Sequence, residues 1–587
     1  NLVASDVVPD SPTNNFATIN PLSNPSTVTH GNTFSEGNLK LAFSTAAGTF
    51  PSVLGTIPMV TGKWYWEISY DYASEINAGF GVYNQTTSLT TDYGAAQGGL
   101  DDAGLALFKT STILTLFLDT KNTVHSSSFA DPIIIGVMFD ADNGKLYLKF
   151  ANAELTGQTI SNGTTIFDTF TTGKLYMPAI YHGDGGSGTK TGTIYANFGQ
   201  DSSFSGSQTA QGNADENGIG DFYYAPPSGF LALCTANLPA PVETIDPAEG
   251  GSVQDYFNTV LYSGNGSTNA ITGVGFQPDW IWIKERSSTS SHALFDSVRG
   301  VNKVLASDTN AAEDTSNSTL MTAFDSDGFS LGNNNRTNQN TETYVAWNWK
   351  VGGSSSVNTD GTDIDSTGVF NTDLGMSIVT YTGTGSSGDS YGHGLDKAPE
   401  LVLVKDRTDP ANWAVFFTLT GVDGYLRLND TNIKTTDTNI FPSVSATTIG
   451  VGTQGDGSIA NTSGDSYVSY NFHSVDGYSK IGSYTGNENA DGPFVYTGFR
   501  PAFLITKKTS ATSNWIIKDN KRDASGGNVI TTLFKGNDNS AEETTASMYV
   551  DFLSNGFKLR GTSTTTNAGT IIYMAFAEQP FKYANAR

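Results

Sequence analysis

One residue pattern occurs three times along this chain and limits the folds that are open to it. Each copy begins with Tyr-Ser/Thr-Gly, continues with a proline and an apolar run that reaches a lysine, and closes with an aromatic-rich segment. The prolines and their following lysines are Pro278 and Lys284, Pro399 and Lys405, and Pro501 and Lys507. Successive lysines are about 100 to 120 residues apart, which is the length of a domain and not of a solenoid turn. The pattern predicts a string of small β domains.

Strand signals dominate the rest of the chain. Short β-branched or aromatic runs bounded by turn residues occur at 63–70, 133–139, 145–150 and 193–198. No window of a dozen residues keeps a helical apolar period without interruption by Gly, Pro or Ser/Thr/Asn clusters. A proline at the first position of a strand costs least there, so the three proline segments also favour strands. The sequence predicts an all-β protein.

The charge of the chain excludes some partners. The formal net charge is −26 and the pI about 4.4, with only 31 Lys and Arg residues among 587. A negative field of this kind repels phosphate backbones and anionic lipid head groups. Charged residues make up 15%, below the roughly 25% of ordinary soluble domains, and Ser, Thr, Asn and Gly replace them. We expect no nucleic-acid partner and a hydrated surface suited to an extracellular setting.

The side chains that usually carry cofactors are scarce. Cys234 is the single cysteine and lies in an apolar run, where a free thiol usually packs as a small hydrophobe. The six histidines are scattered singly and form no metal-ligand motif. We therefore expect no cofactor, no metal and no catalytic residue. There is neither an apolar run of about 18 residues nor an N-terminal signal peptide, so we expect no membrane insertion.

Three acidic clusters allow two interpretations each. Asp140 and Asp142 precede an Asn-Gly pair that predicts a type I′ hairpin, Asp325 and Asp327 precede a glycine, and a third cluster spans 360–365. Each could be a turn or linker, or a calcium site. The first cluster lacks the other ligands of an EF-hand loop, and no bidentate glutamate follows the third at the right offset. The counterparts of Asp325 and Asp327 in the third repeat are Leu553 and Asn555. These differences favour turns and a solvated linker.

The first part of the chain resembles a SPRY domain. The resemblance is carried, in order, by Trp64-Tyr65-Trp66-Glu67, the segment 135–147 with its Asp-Asn-Gly turn, Tyr176-Met177-Pro178-Ala179 and Asn197-Phe198-Gly199. It implies a bent, concanavalin-like β-sandwich over about residues 30 to 235. It also implies partner binding through loops at one edge and no enzymatic activity. Binding loops vary in that family, so the resemblance transfers no site residue.

The rest of the chain resembles C-terminal repeats of tailed-bacteriophage fibre and other virion proteins, especially from aquatic phages. The similar segments are 275–284, 324–331 and the C-terminal 573–587. In those proteins such repeats often follow a SPRY-like domain with an upstream linker similar to residues 6–18. The resemblance implies a protein of the virion surface, and the polar start at Asn1 suggests a missing upstream segment.

These observations give a domain plan. The predicted parts are a linker at 1–28, a SPRY-like sandwich at 29–238, a linker at 239–254, β repeat 1 at 255–352, an acidic Gly/Ser/Thr linker at 353–375, β repeat 2 at 376–479 and β repeat 3 at 480–587. Prolines stiffen the second linker, and glycines and serines open the third. The join between the second and third repeats is short, so we expect those two domains to form a rigid pair.

The leading functional hypothesis is a tail fibre or related appendage protein that attaches a phage to its host cell. We expect a homotrimer, because aromatic-rich strands of small domains can supply the apolar faces that trimers bury. We also expect contacts with other tail or capsid proteins, and a host receptor that could be a glycan. Alternatives are a capsid decoration or head fibre protein, a polysaccharide depolymerase and a secreted lectin. A depolymerase needs two carboxylates placed across a cleft, and no motif supplies such a pair.

If the receptor is a sugar, aromatic side chains would stack on its pyranose faces. Six aromatic residues are candidates for this role, namely Tyr65, Tyr181, Tyr223, Tyr224, Trp413 and Trp515. Trp413 and Trp515 stand in matched segments of two repeats, which favours a place in the core. The sequence singles out no binding residue among the six.

Overall fold

The structure is a computed structural model. It describes residues 14–23, 31–45, 52–70, 77–84, 103–110, 113–118, 121–126, 132–154, 158–164, 170–183, 190–453, 459–523 and 528–583. The chain divides into two compact units, Asn1–Pro239 and Ala240–Arg587. Almost all strand pairs in both units are antiparallel, which confirms the all-β class. No helix in the described ranges is long and apolar enough to cross a membrane.

The described residues of the first unit form fourteen β-strands. They are β1 (Thr33–Ser35), β2 (Lys40–Thr45), β3 (Ser52–Leu54), β4 (Lys63–Tyr70), β5 (Asn77–Asn84), β6 (Ala103–Thr110), β7 (Ile113–Leu118), β8 (Lys121–Ser126), β9 (Ile133–Asp140), β10 (Lys145–Phe150), β11 (Ala153–Glu154), β12 (Tyr176–Gly183), β13 (Lys190–Asn197) and β14 (Leu231–Ala232). Short 3-10 turns lie at Pro21–Ser23, Ile160–Asn162 and Thr235–Asn237.

These strands form two sheets. One has the order β1-β2-β13-β4-β9-β10-β11, with β14 pairing in parallel with β4, and the other has the order β3-β12-β5-β6-β7-β8. Aromatic pairs join the sheets, since Phe139 of β9 packs edge-on against Tyr176 of β12 and Tyr70 of β4 against Phe80 of β5. The core of the sandwich therefore lies between them, as the sequence predicts.

Strand β4 is buried on both faces. Its residues Trp64 to Tyr70 are all buried, so the alternation of a half-exposed strand is missing. The face that carries Tyr70 meets the second sheet, while the face that carries Tyr65 packs against Phe222 of a long connecting segment. The connecting segment 199–230 acts as a third layer over this strand.

The hairpin predicted at Asp140–Lys145 is confirmed, but its turn is not a two-residue type I′ turn. Strands β9 and β10 pair up to Asp140 and Lys145, which leaves four residues in the loop. Among these four only Gly144 has a positive φ, at +61°. A Cβ atom there would lie 2.0 Å from the carbonyl oxygen of Phe170, so glycine is required by space as well as by conformation.

The second unit contains the three copies of the sequence pattern. Its strands are β15 (Phe257–Ser263), β16 (Asn269–Ile271), β17 (Trp280–Glu285), β18 (Ala293–Asp296), β19 (Ala323–Asp325), β20 (Gly328–Leu331), β21 (Thr343–Trp349), β22 (Ser356–Asn358), β23 (Asp363–Ile364), β24 (Ser366–Asn371), β25 (Met376–Thr382), β26 (Asp389–Gly392), β27 (Leu401–Asp406), β28 (Ala414–Phe417), β29 (Gly424–Arg427), β30 (Thr435–Thr436), β31 (Thr448–Val451), β32 (Ser466–Phe472), β33 (Ser479–Asn487), β34 (Phe494–Tyr496), β35 (Phe499–Lys508), β36 (Trp515–Asp519), β37 (Thr532–Lys535), β38 (Glu543–Thr544), β39 (Val550–Leu553), β40 (Gly556–Leu559) and β41 (Ala568–Pro580). One short helix, α1, spans Asn335–Asn338.

All three repeats share one sheet order. The four matching strands are β15-β21-β17-β18 in the first repeat, β25-β32-β27-β28 in the second and β33-β41-β35-β36 in the third. Each repeat adds a three-stranded sheet, namely β16-β20-β19, β23-β26-β31 and β34-β40-β39. The register matches as well, because Trp280, Leu401 and Phe503 lie opposite Trp349, Phe472 and Phe576. The sequence repeat is therefore a structural repeat.

The three repeats do not form separate beads, which corrects the predicted string of domains. One apolar cluster contains Trp280 and Trp349 of the first repeat, Phe472 of the second, and Phe503 and Phe576 of the third. Alternate residues of β17 and β27 face a separate cluster inside their own repeat. The sheets that contain β17 and β27 are therefore apolar on both faces. One face of each sheet packs inside its own repeat, and the other face is buried only against the other repeats.

The predicted linker at 353–375 is also wrong. It contains β22, β23 and β24, and the last two strands pair with β26 and β25 of the second repeat. Its Ser/Thr/Asp composition is typical of a solvated linker, since few of its residues are apolar. One of them, Val369, is nevertheless buried in the shared core. The predicted linker at 239–254 likewise places Ile245 and Val253 in that core.

Candidate functional site

An open groove of about 530 Å³ lies on the first unit, beside the β9–β10 hairpin. Its residues come from the start of β4, the ends of β9 and β10 that meet at the hairpin, the 3-10 turn after β11 and the loop before β14. The lining residues are Lys63, Asp140, Asn143, Lys145, Tyr147, Glu154, Ile160, Ser161, Gly163, Pro227, Ser228 and Phe230. Volumes of this order are typical of small-ligand sites.

Hydrogen bonds within the hairpin fix its shape. Asp140 accepts from the backbone N–H and the side-chain amide of Asn143, and Asp142 accepts from the N–H of Gly62 at 2.8 Å. Both carboxylates therefore act in the turn and in its attachment to β4, in line with the turn interpretation. In the described ranges no group of three His, Cys, Asp or Glu side chains is arranged to hold a metal ion.

The charges in the groove are paired or engaged by backbone groups. Lys63 forms an ion pair with Asp140, with 3.2 Å between Nζ and Oδ2, and Lys145 donates to the carbonyl oxygen of Gly163 at 2.7 Å. Glu154 accepts from the N–H of Ile160 at 3.2 Å. Two lysines and two carboxylates give the groove no local net charge, in contrast to the charge of −26 on the chain.

Tyr147 lies at the base of the groove with an unengaged hydroxyl. The residue is 2% exposed and its ring packs edge-on against Phe230, with centroids 5.9 Å apart. No hydrogen bond joins its hydroxyl to any described residue. Burial, and to a smaller extent the charge of Asp140, raises the pKa of Tyr147, so the phenol keeps its proton. The groove therefore offers a free donor and acceptor at its base.

A second polar centre of this unit is buried in the structure and does not line the groove. Glu67 of β4 is fully buried and accepts four hydrogen bonds, from the hydroxyl of Tyr65 at 2.9 Å, the amide of Asn197 at 3.1 Å and the backbone N–H groups of Tyr223 at 2.8 Å and Tyr224 at 2.7 Å. Burial raises the pKa of Glu67 to about 7 despite these donors. Its role is to hold the covering segment on β4.

Of the proposed sugar platforms whose side chains the structure describes, none lines the groove. Tyr65 is buried, and Tyr223 and Tyr224 are half-buried and pack against each other. The side chain of Tyr181 lies outside the described part. Trp413 and Trp515 are buried at the junctions between repeats, as their matched positions predict.

The other acidic clusters serve their own loops. Asp327 accepts from the N–H groups of Gly273 and Gly275 and thereby joins two loops of the first repeat. Asp363 belongs to β23, which pairs in parallel with β26. The turn interpretation is therefore in line with the contacts of Asp327. The linker interpretation of 360–365 is wrong, because this cluster includes a paired strand.

The sequence predicts the hairpin that supplies part of the groove, but it does not predict that the other lining residues lie beside it. Lys63, Tyr147 and Phe230 are far apart in the chain and belong to no shared motif. Only the pairing of β4 with β9, and of β14 with β4, brings them together. A strand pattern does not encode these neighbours.

Comparisons with solved structures gave SPRY domains, the family that the first part of the sequence resembles. The SPRY domain of human HERC1 matches over 30% of this chain and 96% of that domain, with 11% identity and a TM-score of 0.22. The TRIM65 PSpry domain matches over 31% of this chain and 92% of that one, with 12% identity and a TM-score of 0.21. The two-sheet fold of the first unit is assigned from its own strand pairing and not from these two domains. A search of curated proteins found no match.

One family model matches the chain over residues 252–580. This range covers the three repeats almost from the first strand to the last, and it is more than half of the chain. The chain belongs to the family described as Domain of unknown function (DUF7483).

Proposed function

We propose that this chain is a non-enzymatic surface protein of a tailed-bacteriophage virion, part of a tail fibre or related appendage, which attaches the particle to its host cell. The open groove on the first unit, lined by the free hydroxyl of Tyr147, is the observation that supports binding. The virion location depends on the sequence resemblance of the three repeats to phage virion proteins.

The second unit suits the role of a rigid support. The junctions between its repeats carry bidentate arginine pairs, since Arg407 binds both carboxylate oxygens of Glu313 and Arg286 binds both of Glu542. Fixed geometry of this kind favours a part that transmits load and presents a binding domain, because bidentate pairs hold both partners in one orientation.

Immunogold labelling tests the location. Antibodies to the purified chain would be applied to particles of the phage that encodes it, with particles of an unrelated phage as the control. Label along a tail appendage supports the proposal. Label spread over the head would assign the chain to capsid decoration, and particles without label would contradict a virion protein.

Host attachment needs a separate test. Host cells incubated with the purified chain should adsorb fewer phage particles than cells incubated with serum albumin, because occupied receptors are unavailable. Unchanged adsorption at saturating chain would contradict attachment, and release of reducing ends from host polysaccharide would show a depolymerase instead.

A further inference from the structure

We propose that the groove beside the β9–β10 hairpin binds a neutral saccharide, with the hydroxyl of Tyr147 hydrogen-bonded to a sugar hydroxyl. The inference rests on the proposed attachment function and names the class of ligand for it. It starts from a phenol hydroxyl that faces the groove and has no hydrogen-bond partner among the described residues.

The Tyr147 hydroxyl is the first step. A phenol can both donate and accept a hydrogen bond. The ring of Tyr147 is buried, while its hydroxyl faces the groove without a partner among the described residues. Gly163 also lines the groove, and a Cβ atom built on it would lie 3.9 Å from this hydroxyl. A ligand oxygen that enters the groove can therefore reach the hydroxyl.

The charge balance selects a neutral ligand. Lys63 is paired with Asp140 and lies over the ring of Phe230, 5.9 Å from its centroid, while Lys145 is held by a backbone carbonyl. The two carboxylates of the groove balance its two lysines, and the net charge of the chain repels acidic polymers. A phosphate or a uronic acid would therefore meet no excess of positive charge in the groove.

The other lining groups suit a sugar. Ser161 and Ser228 are exposed at the rim and form no hydrogen bond to a described residue, so their hydroxyls are open to a ligand. Pro227 and Ile160 supply apolar surface next to them. Alternating hydroxyl groups and C–H faces on a saccharide match donors, acceptors and apolar patches placed side by side.

Affinity electrophoresis of the full chain tests the inference. The probes are four neutral polysaccharides (dextran, mannan, galactan and laminarin) and two acidic ones (alginate and hyaluronate). We expect retardation by at least one neutral probe and by neither acidic probe. Tyr147→Phe removes only the hydroxyl and should weaken binding about 3- to 10-fold, the usual effect of one neutral hydrogen bond. Ser228→Trp should fill the groove and abolish binding.

Tyr195→Phe is the matched control. Tyr195 is half-buried on β13, away from the groove, and this variant should bind as the unchanged chain does. The inference is overturned if no neutral probe binds, if only acidic probes bind, or if Tyr147→Phe and Ser228→Trp both leave binding unchanged. Absence of saccharide binding by a chain that labels virion appendages would refute this ligand class alone, whereas a chain that is absent from virions would refute the proposed function.

Discussion

At the scale of single residues, the first unit separates a buried polar centre from an open one. Glu67 has every acceptor position used, while the hydroxyl of Tyr147 has no partner among the described residues. Both stand in one sheet, on β4 and β10, the two strands that flank β9. Saturated buried polar groups specify a fold, and a hydroxyl that faces a groove without a protein partner marks a place where a ligand can add a hydrogen bond.

Glu67→Gln should destabilise the first unit by about 2 kcal/mol, because the glutamine amide would direct an N–H group at one of the N–H donors of Tyr223 or Tyr224. Hydrogen exchange of the full chain in denaturant, followed in peptides of β4 and of 219–226, measures this. The exposed Glu216→Gln is the control and should change little. Equal stability of both variants would contradict the role assigned to Glu67.

At the scale of elements, the three proline strands β17, β27 and β35 carry one lysine each at the same position. Lys284, Lys405 and Lys507 are buried, and burial lowers the pKa of each from 10.5 to about 8. Their ammonium groups donate to backbone carbonyl oxygens, among them those of Glu285, Asp406 and Thr431. A buried lysine near the C-terminal end of β17, β27 and β35 thus binds backbone carbonyl oxygens in each repeat.

These lysines predict a rise in stability with pH. A pKa lower in the folded than in the unfolded state means that the unfolded chain binds more protons between about pH 8 and 10.5, so the free energy of unfolding rises over that window. Above about pH 10 the buried tyrosines oppose it, because they ionise only after unfolding. Urea unfolding followed by tryptophan fluorescence should give a higher midpoint at pH 9 than at pH 7.5. Lys405→Met should reduce the rise, and a falling midpoint over this range would contradict the prediction.

Two of the junctions between repeats are built alike. Arg299, Glu313 and Arg407 join the first repeat to the second, and Arg522, Glu542 and Arg286 join the third to the first. In each junction one arginine is also paired with a buried aspartate three residues before it. The junction between the second and third repeats uses other contacts among the described residues, such as the Trp515 indole donating to the carbonyl of Arg427.

Glu313→Gln should lower the free energy of unfolding of the second unit by about 3 kcal/mol, since it leaves two largely buried arginines without their shared carboxylate. The measurement is again urea unfolding followed by fluorescence, because six of the eight tryptophans lie in this unit. Asp423→Asn, which removes an exposed pair with Lys434, is the control and should leave the midpoint nearly unchanged. A loss no larger than that of the control would contradict the bridging role.

Strands and their repeats could be predicted from the sequence, and their assembly could not. Period, turn residues and the Pro…Lys pattern mark β17, β27 and β35, because these signals are local. The packing partners of Trp280 and Trp282 are not encoded locally. The sequence allows their face to pack against another chain or against another repeat. The same holds for Tyr147, whose neighbour Phe230 is distant in the chain.

At the scale of the whole molecule, the second unit buries within one chain the apolar strand faces that the homotrimer hypothesis expects three subunits to bury. That hypothesis assumed that aromatic strand faces need partner subunits. In the structure Trp349, Phe472 and Phe576 from the three repeats belong to one buried cluster, so these faces already have partners. The homotrimer stays a prediction, but this reason for it no longer applies, and light scattering of the purified chain will decide it.

The most direct test of the shared three-repeat core is hydrogen exchange of the full chain at increasing denaturant, read in peptides from β21, β32 and β41. Because these closing strands contribute to one core, their most protected amides should lose protection together, with one common free energy of opening. Three separate free energies, one for each repeat, would contradict the shared core and restore the string of independent domains.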